Sequence, residues 1–105
     1  MIVREQLERI RERYGSEYLL RQLAEECAEL STAALHHIRA KRHEICKSQE
    51  ETILSLMEEM ADVTVMLSCV RKALLSKDQR LAVDTTAGAK ANRMVNRLLG
   101  GNWNE

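Results

Sequence analysis

The sequence predicts an all-α protein, a bundle of about four helices around a central antiparallel helix hairpin. Three observations carry this. Proline and phenylalanine are absent and only four glycines occur, while Leu, Ala, Glu, Arg and Met, which lose little on entering a helix, abound. Strand-favouring aromatic and β-branched residues are few. Apolar residues recur at three-four spacing along most of the chain.

The elements follow in order. A first helix is expected from about Ile2 to Tyr14, with Val3, Leu7 and Ile10 on one face. Gly15 ends it, and Ser16 is placed to cap the next. The second helix carries Leu20, Leu23, Cys27, Leu30, Ala34 and His37 or Ile38, a seam suited to a bundle. It fades around Lys41 to Lys47. Ser48 followed by Glu51 fits a capping box that starts the third helix. That helix shows a seam of Ile53, Met57, Met60, Thr64 and Leu67 and is expected to last to about Ser76. A second stripe, Leu56, Val63, Met66 and Val70, calls for cover by another helix or chain. The fourth helix is expected from an Asp84 N-cap, through Ala87, Ala91, Met94 and Leu98, to Gly100-Gly101. Gly88 beside that stripe costs ~1 kcal/mol relative to alanine.

One domain spanning 1–105 is the expectation from length. A small helical chain buries only ~60–70% of its unfolded surface, so a homo-oligomer, dimer or tetramer, is expected. Sixteen basic residues balance sixteen acidic ones, which argues against a nucleic-acid binder. The basic run Arg39 to His43 falls where a helix ends and suits its dipole. Cys27, Cys46 and Cys69 are odd in number and lack C-x-x-C spacing, so neither a disulfide framework nor a zinc site is expected. Cys27 and Cys69 read as small core residues. No apolar run reaches the length of a membrane span and no signal-peptide core opens the chain, so a cytoplasmic protein is expected.

The acids separate by their surroundings. Glu5/Glu8, Glu26/Glu29 and Glu59/Asp62 all show i,i+3 spacing. Arginines surround the first pair. Around Glu26, Glu29, Glu58, Glu59 and Asp62 no Lys or Arg lies three or four residues away, as a solvated acidic face normally requires. Glu25/Glu29 and Glu58/Asp62 add like-charge i,i+4 pairs, and local violations of this kind mark functional sites. In a hairpin turning near 43–48, the two acid pairs lie ~23 Å and ~19 Å from the turn, within about one helical turn of each other. By helical angle they sit roughly 80–160° from the seams and so flank the contact between helices. Converging ionised carboxylates need protons or a cation, and oxygen-only ligands suit Mg²⁺, with Mn²⁺ also accepted. No Glu-x-x-His occurs, which argues against a di-iron site.

Glu25-Glu26-Cys27-Ala28-Glu29-Leu30, followed by Glu58-Glu59-Met60-Ala61-Asp62-Val63, resembles the E-E-x-x-E … E-x-x-D pattern of MazG-like nucleotide pyrophosphohydrolases. The stretch from Tyr14-Gly15 to Gln22-Leu23 resembles the lead-in of small members, so the likeness covers about residues 14–70. It implies hydrolysis of a nucleoside triphosphate to monophosphate and pyrophosphate. Glu26, Glu29, Glu59 and Asp62 would hold Mg²⁺, with Glu25 or Glu26 taking the proton of the attacking water. Lys90, Arg93 and Arg97 correspond to the family's downstream basic element and would hold phosphate oxygens, a solvated helix face being the equal alternative. The gap between the motifs is long for the family, and only Tyr14, Tyr18 and Trp103 are available to stack on a base. Tyr18 reads rather as a core residue, and the three histidines receive no role. The alternative is a non-catalytic helical interaction module of the same fold.

Overall fold

A computed structural model describes residues 2–100, and Trp103 and Gly101 lie outside them. The described residues form three helices, α1 (Arg4–Lys41), α2 (Gln49–Leu74) and α3 (Lys77–Leu99), and no strand. The chain divides between Leu74 and Leu75 into two compact units.

The expected count of about four helices becomes three because α1 takes in the first two, which meet without a gap at a kink. Gly15 interrupts it with φ 85° and ψ 167°, non-helical values within an otherwise helical run. The break is consequential. Leu7 and Leu19 join one buried cluster with Cys69, yet along an unbroken helix they would stand ~18 Å apart. The arm before Gly15 therefore folds back on α2. Arg11 donates from Nη1 to the Ala73 carbonyl at 2.7 Å, and Leu7, four residues earlier, meets Cys69, four residues before Ala73. That arm accordingly runs in the same sense as α2.

The longer arm, 16–41, packs against α2 in the opposite sense. His37 meets Thr52 near the turn, and Glu26 and Glu29 meet Asp62 and Glu59 further along. The turn is built by local chemistry. Glu44 N–H donates to the Arg39 carbonyl at 2.9 Å and His43 N–H to that of Ala40 at 3.1 Å. This is a Schellman closure, with His43 in the left-handed position (φ 59°) that glycine usually takes. Arg39 and Lys41 occupy the last turn, as the dipole favours. At the start of α2 the Glu51 N–H donates to Ser48 Oγ at 3.1 Å, so Ser48 caps as expected.

The contact between α1 and α2 lies one residue away from the most apolar stripe of α2. On α1 the expected seam residues Leu23, Leu30, Ala34 and His37 are half-buried beside it, and His37 meets Thr52. The contact positions on α1 are Leu19, Gln22, Glu26, Glu29, Ala33, His36 and Ala40. On α2 they are Thr52, Ser55, Glu59, Asp62, Met66, Cys69 and Ala73. Both sets follow three-four spacing. Leu19, Ala33, Ala40, Thr52 and Cys69 are buried there. The expected seam residues Leu20, Ile38, Met57, Met60 and Leu67 are exposed instead, and so are Cys27 and Thr64. Leu56, Val63, Met66 and Val70, the expected second stripe, are the half-buried ones, so the two stripes exchange roles. One residue corresponds to 100° of helix rotation, and periodicity alone does not say which stripe faces the neighbour within the chain.

Tyr18, expected in the core, is 40% exposed and stacks on Tyr14 with ring centroids 4.8 Å apart. In the second unit α3 begins at Lys77 and not near Asp84. Ser76 Oγ accepts from Gln79 N–H at 3.1 Å, and Gln79 Oε1 accepts from Ser76 N–H at 2.9 Å. Gly100, at φ 64°, closes the helix as expected. No residue of α3 is buried.

Candidate metal centre

Carboxylates occupy the middle of the α1–α2 seam. Glu26 lies seven residues after buried Leu19 and seven before buried Ala33, and Glu59 lies seven after buried Thr52. The helix repeat thus carries both glutamates inward to half-buried positions, while Glu29 and Asp62, three residues on from each, stay exposed. Glu26 and Glu59 thus turn further into the contact than the expected flanking position, while Glu29 and Asp62 stay exposed at its border. One oxygen from each of Glu26, Glu29, Glu59 and Asp62 lies within 4.8 Å of the others. Glu25 is exposed and is not one of the four.

Electrostatics and hydrogen bonding agree that this cluster is unsatisfied by protein alone. Glu26 Oε2 and Glu59 Oε2 are inaccessible to water and have no hydrogen-bond partner. Removal from water pushes both carboxyls above their ordinary range. The negative charges of Glu29 and Asp62 push each further, and Glu59 adds to the effect on Glu26. Protons or a cation must relieve this arrangement. Opposite ligands of an octahedral Mg²⁺ stand ~4.2 Å apart, so four oxygens within 4.8 Å fit a hard divalent cation with little movement. The donor set is all oxygen, which suits Mg²⁺, Mn²⁺ or Ca²⁺ over softer metals.

Towards the turn the seam stays polar and small, and a cavity of about 350 Å³ opens beside the acids. Glu29 and Glu59 form one end, Ala33 and Thr52 belong to its lining, and His36 and Lys47 lie towards the turn. Thr52 is fixed. Its hydroxyl hydrogen is shared between the Ser48 and Gln49 carbonyls, at 3.2 and 3.1 Å. It therefore accepts from His37 Nδ1–H at 2.9 Å. Sequence reasoning left His36, His37, Thr52, Ser55 and Lys47 without roles. The seven-residue repeat could have found three of them: His36 lies seven after Glu29, Thr52 seven before Glu59 and Ser55 seven before Asp62. Lys90, Arg93 and Arg97 stand exposed along α3, in the other compact unit.

The described residues are helical apart from turns, with four carboxylates gathered in the main helix pair where they could hold a cation. Compared with known proteins, the chain matches no family model, no curated protein and no solved structure. Among the described residues no helix is long and apolar enough to cross a membrane.

Proposed function

We propose that the chain is a Mg²⁺-dependent nucleoside triphosphate pyrophosphohydrolase of the MazG-like kind, converting a (deoxy)nucleoside triphosphate to its monophosphate and pyrophosphate. One observation carries the reading. Four carboxylate oxygens converge within 4.8 Å at the centre of a helix contact, two of their residues leaving a buried oxygen without a partner. A packing role does not call for that arrangement, because leucine at the same positions would stabilise the pair at no electrostatic cost. Their spacing along the two helices is that of the E-E-x-x-E … E-x-x-D pattern.

Glu26, Glu29, Glu59 and Asp62 would hold the cation. When bound, Mg²⁺ (or Mn²⁺) neutralises phosphate oxygens and makes a bound water more acidic. Glu26 and Glu59 fix the inner side of the site through the buried seam, while exposed Glu29 and Asp62 open it to substrate. Glu25, the exposed neighbour of Glu26, or Glu26 itself would take the proton of the water that attacks the α-phosphorus. Positioning and charge neutralisation are most of what phosphoryl transfer requires.

The same reading includes a homo-oligomer. Leu20, Leu35, Ile38, Ile53, Met57 and Met60 are all exposed on the two paired helices, and a second copy would cover this apolar surface. Light scattering coupled to size exclusion measures this directly.

The experiment is a pyrophosphate-release screen over ribo- and deoxynucleoside triphosphates with Mg²⁺ and Mn²⁺. Turnover of at least one nucleotide is expected, and Glu59→Gln abolishes it while leaving the helical circular dichroism intact. A non-catalytic interaction module of the same fold predicts silence across the whole panel.

A further inference from the structure

The cavity beside the carboxylates lies where a helix pair normally packs its core. Interiors fill to crystal-like density, yet here Ala28, Ala33, Ser55 and Thr52 are too small to close the seam, and about 350 Å³ stays open. This is near the lower end of ligand pockets, which run from ~300 to 1,000 Å³. Its position is directional. Glu29 and Glu59 belong to both the cavity and the cation site, while His36 lies two turns of α1 beyond Glu29, ~10 Å nearer the chain's turn.

We infer that this cavity is the subsite for the terminal phosphates of the nucleotide, with Lys47 as its cation. The inference rests on the pyrophosphohydrolase reading above and names where the leaving group sits. The lining carries it. Lys47, from the segment joining α1 to α2, brings an ammonium group that has no ion pair or hydrogen bond among the described residues. Ser55 adds a hydroxyl and His36 a ring nitrogen, neither engaged elsewhere among the described residues. Thr32 is already spent on the Ala28 carbonyl at 3.2 Å. Apart from the imidazole no flat ring among the described residues lines the space, so a base would find little there to stack on. Donors and positive charge at the far end suit oxygen-rich anions. An anion alone would be repelled by Glu29 and Glu59 at the near end; a polyphosphate chelated to the cation those acids hold would not.

The test is calorimetric binding of inorganic pyrophosphate to the full chain loaded with Mn²⁺, beside binding of adenosine and thymidine monophosphates. Lys47→Ala is expected to weaken pyrophosphate binding about tenfold or more, the worth of one charge-assisted hydrogen bond. Lys47→Arg should largely retain it, and Ser55→Leu, which fills the cavity, should lose it. Mn²⁺ affinity, monophosphate affinity and helical signal stay unchanged with Lys47→Ala, because Lys47 is exposed and has no bond to lose. Pyrophosphate binding equal to the parent's overturns the inference, as does a parent that binds no pyrophosphate. Equal loss of monophosphate affinity would put the nucleoside in the cavity and overturn it too. A parent chain that takes up no Mn²⁺ sinks the cation reading itself, a result distinct from a neutral Lys47→Ala in a protein that still turns over nucleotide.

Discussion

Gly15→Ala separates the folded-back arm described above from an unbroken helix by sign alone. The backbone at Gly15, φ 85° and ψ 167°, falls in a region that L residues avoid, at a cost of about 1–3 kcal/mol. Nothing lies within 4 Å of the position an added Cβ would take, so the cost is one of backbone alone. Alanine also restricts the unfolded chain, which returns about 0.4–1 kcal/mol. The difference spans about 0–2.6 kcal/mol, with a middle value of about 1.3 kcal/mol of lost stability. For a unit of this size that middle value lowers the melting temperature by roughly 5–10 °C. Escape by straightening is closed, because it would carry Leu7 ~18 Å from Leu19 and dismantle the buried cluster both share with Cys69. Thermal melts followed by circular dichroism at 222 nm read the effect. Were the helix continuous at residue 15, alanine would instead raise stability by about 1 kcal/mol. A higher melting temperature would therefore refute the reversal at Gly15.

Other outcomes follow from the same geometry. His43→Gly relieves a side chain held at φ 59° in the Schellman closure and should stabilise the chain by about 1 kcal/mol, read by urea denaturation. Without divalent cations, stability should fall as pH rises through the carboxylate range. Glu26 and Glu59 have folded pKa values raised above 4.5, so the folded state binds more protons than the unfolded one across that window. The stability they confer when protonated is complete below the unfolded value and lost as pH passes the folded value. Melting curves from pH 4 to pH 8 test this, and added Mg²⁺ should raise the melting point mainly at the upper end. Replacing Glu26 and Glu59 together by leucine should raise the melting temperature of the metal-free protein and eliminate Mn²⁺ binding, measured by electron paramagnetic resonance. A less stable double variant would show that the two positions are not part of the helix contact.

Much of the helical pattern was legible because its signals are local. The Gly15 break, the Ser48 cap, the basic end of α1 and the Gly100 stop each depend on a few neighbouring residues. The α3 start was legible too: Ser76 and Gln79 have the same cap spacing as Ser48 and Glu51, but the apolar stripe after Asp84 drew the boundary later. What the sequence could not reveal was rotation. Placing Leu20 and Met57 in the seam is the natural choice when burial is ranked by hydrophobicity, yet the chain turns a more polar stripe inward. The acids were identified from their missing basic partners, a local test, and their convergence is what the structure adds. Lys47 was invisible because nothing in its neighbourhood is unusual; only the paired helices bring it to a cavity.

The off-by-one seam links fold to function. A helix pair whose contact layers run Leu19, Gln22, Glu26, Glu29, Ala33 gives up hydrophobic burial where it is usually greatest, and the repulsion among its acids adds to the loss. On the proposed reading, two sources of stability compensate. A cation bound to the folded state alone contributes about 2.7 kcal/mol at a hundredfold excess over its dissociation constant. The exposed stripe of Leu20, Ile53, Met57 and Met60 holds the apolar area that the internal seam lacks, available to a second copy. The apolar residues were thus not misplaced by the fold. They are turned away from the carboxylates, which leaves the inner seam polar enough to hold a charged ligand and small enough, at Ala33 and Ser55, to admit one.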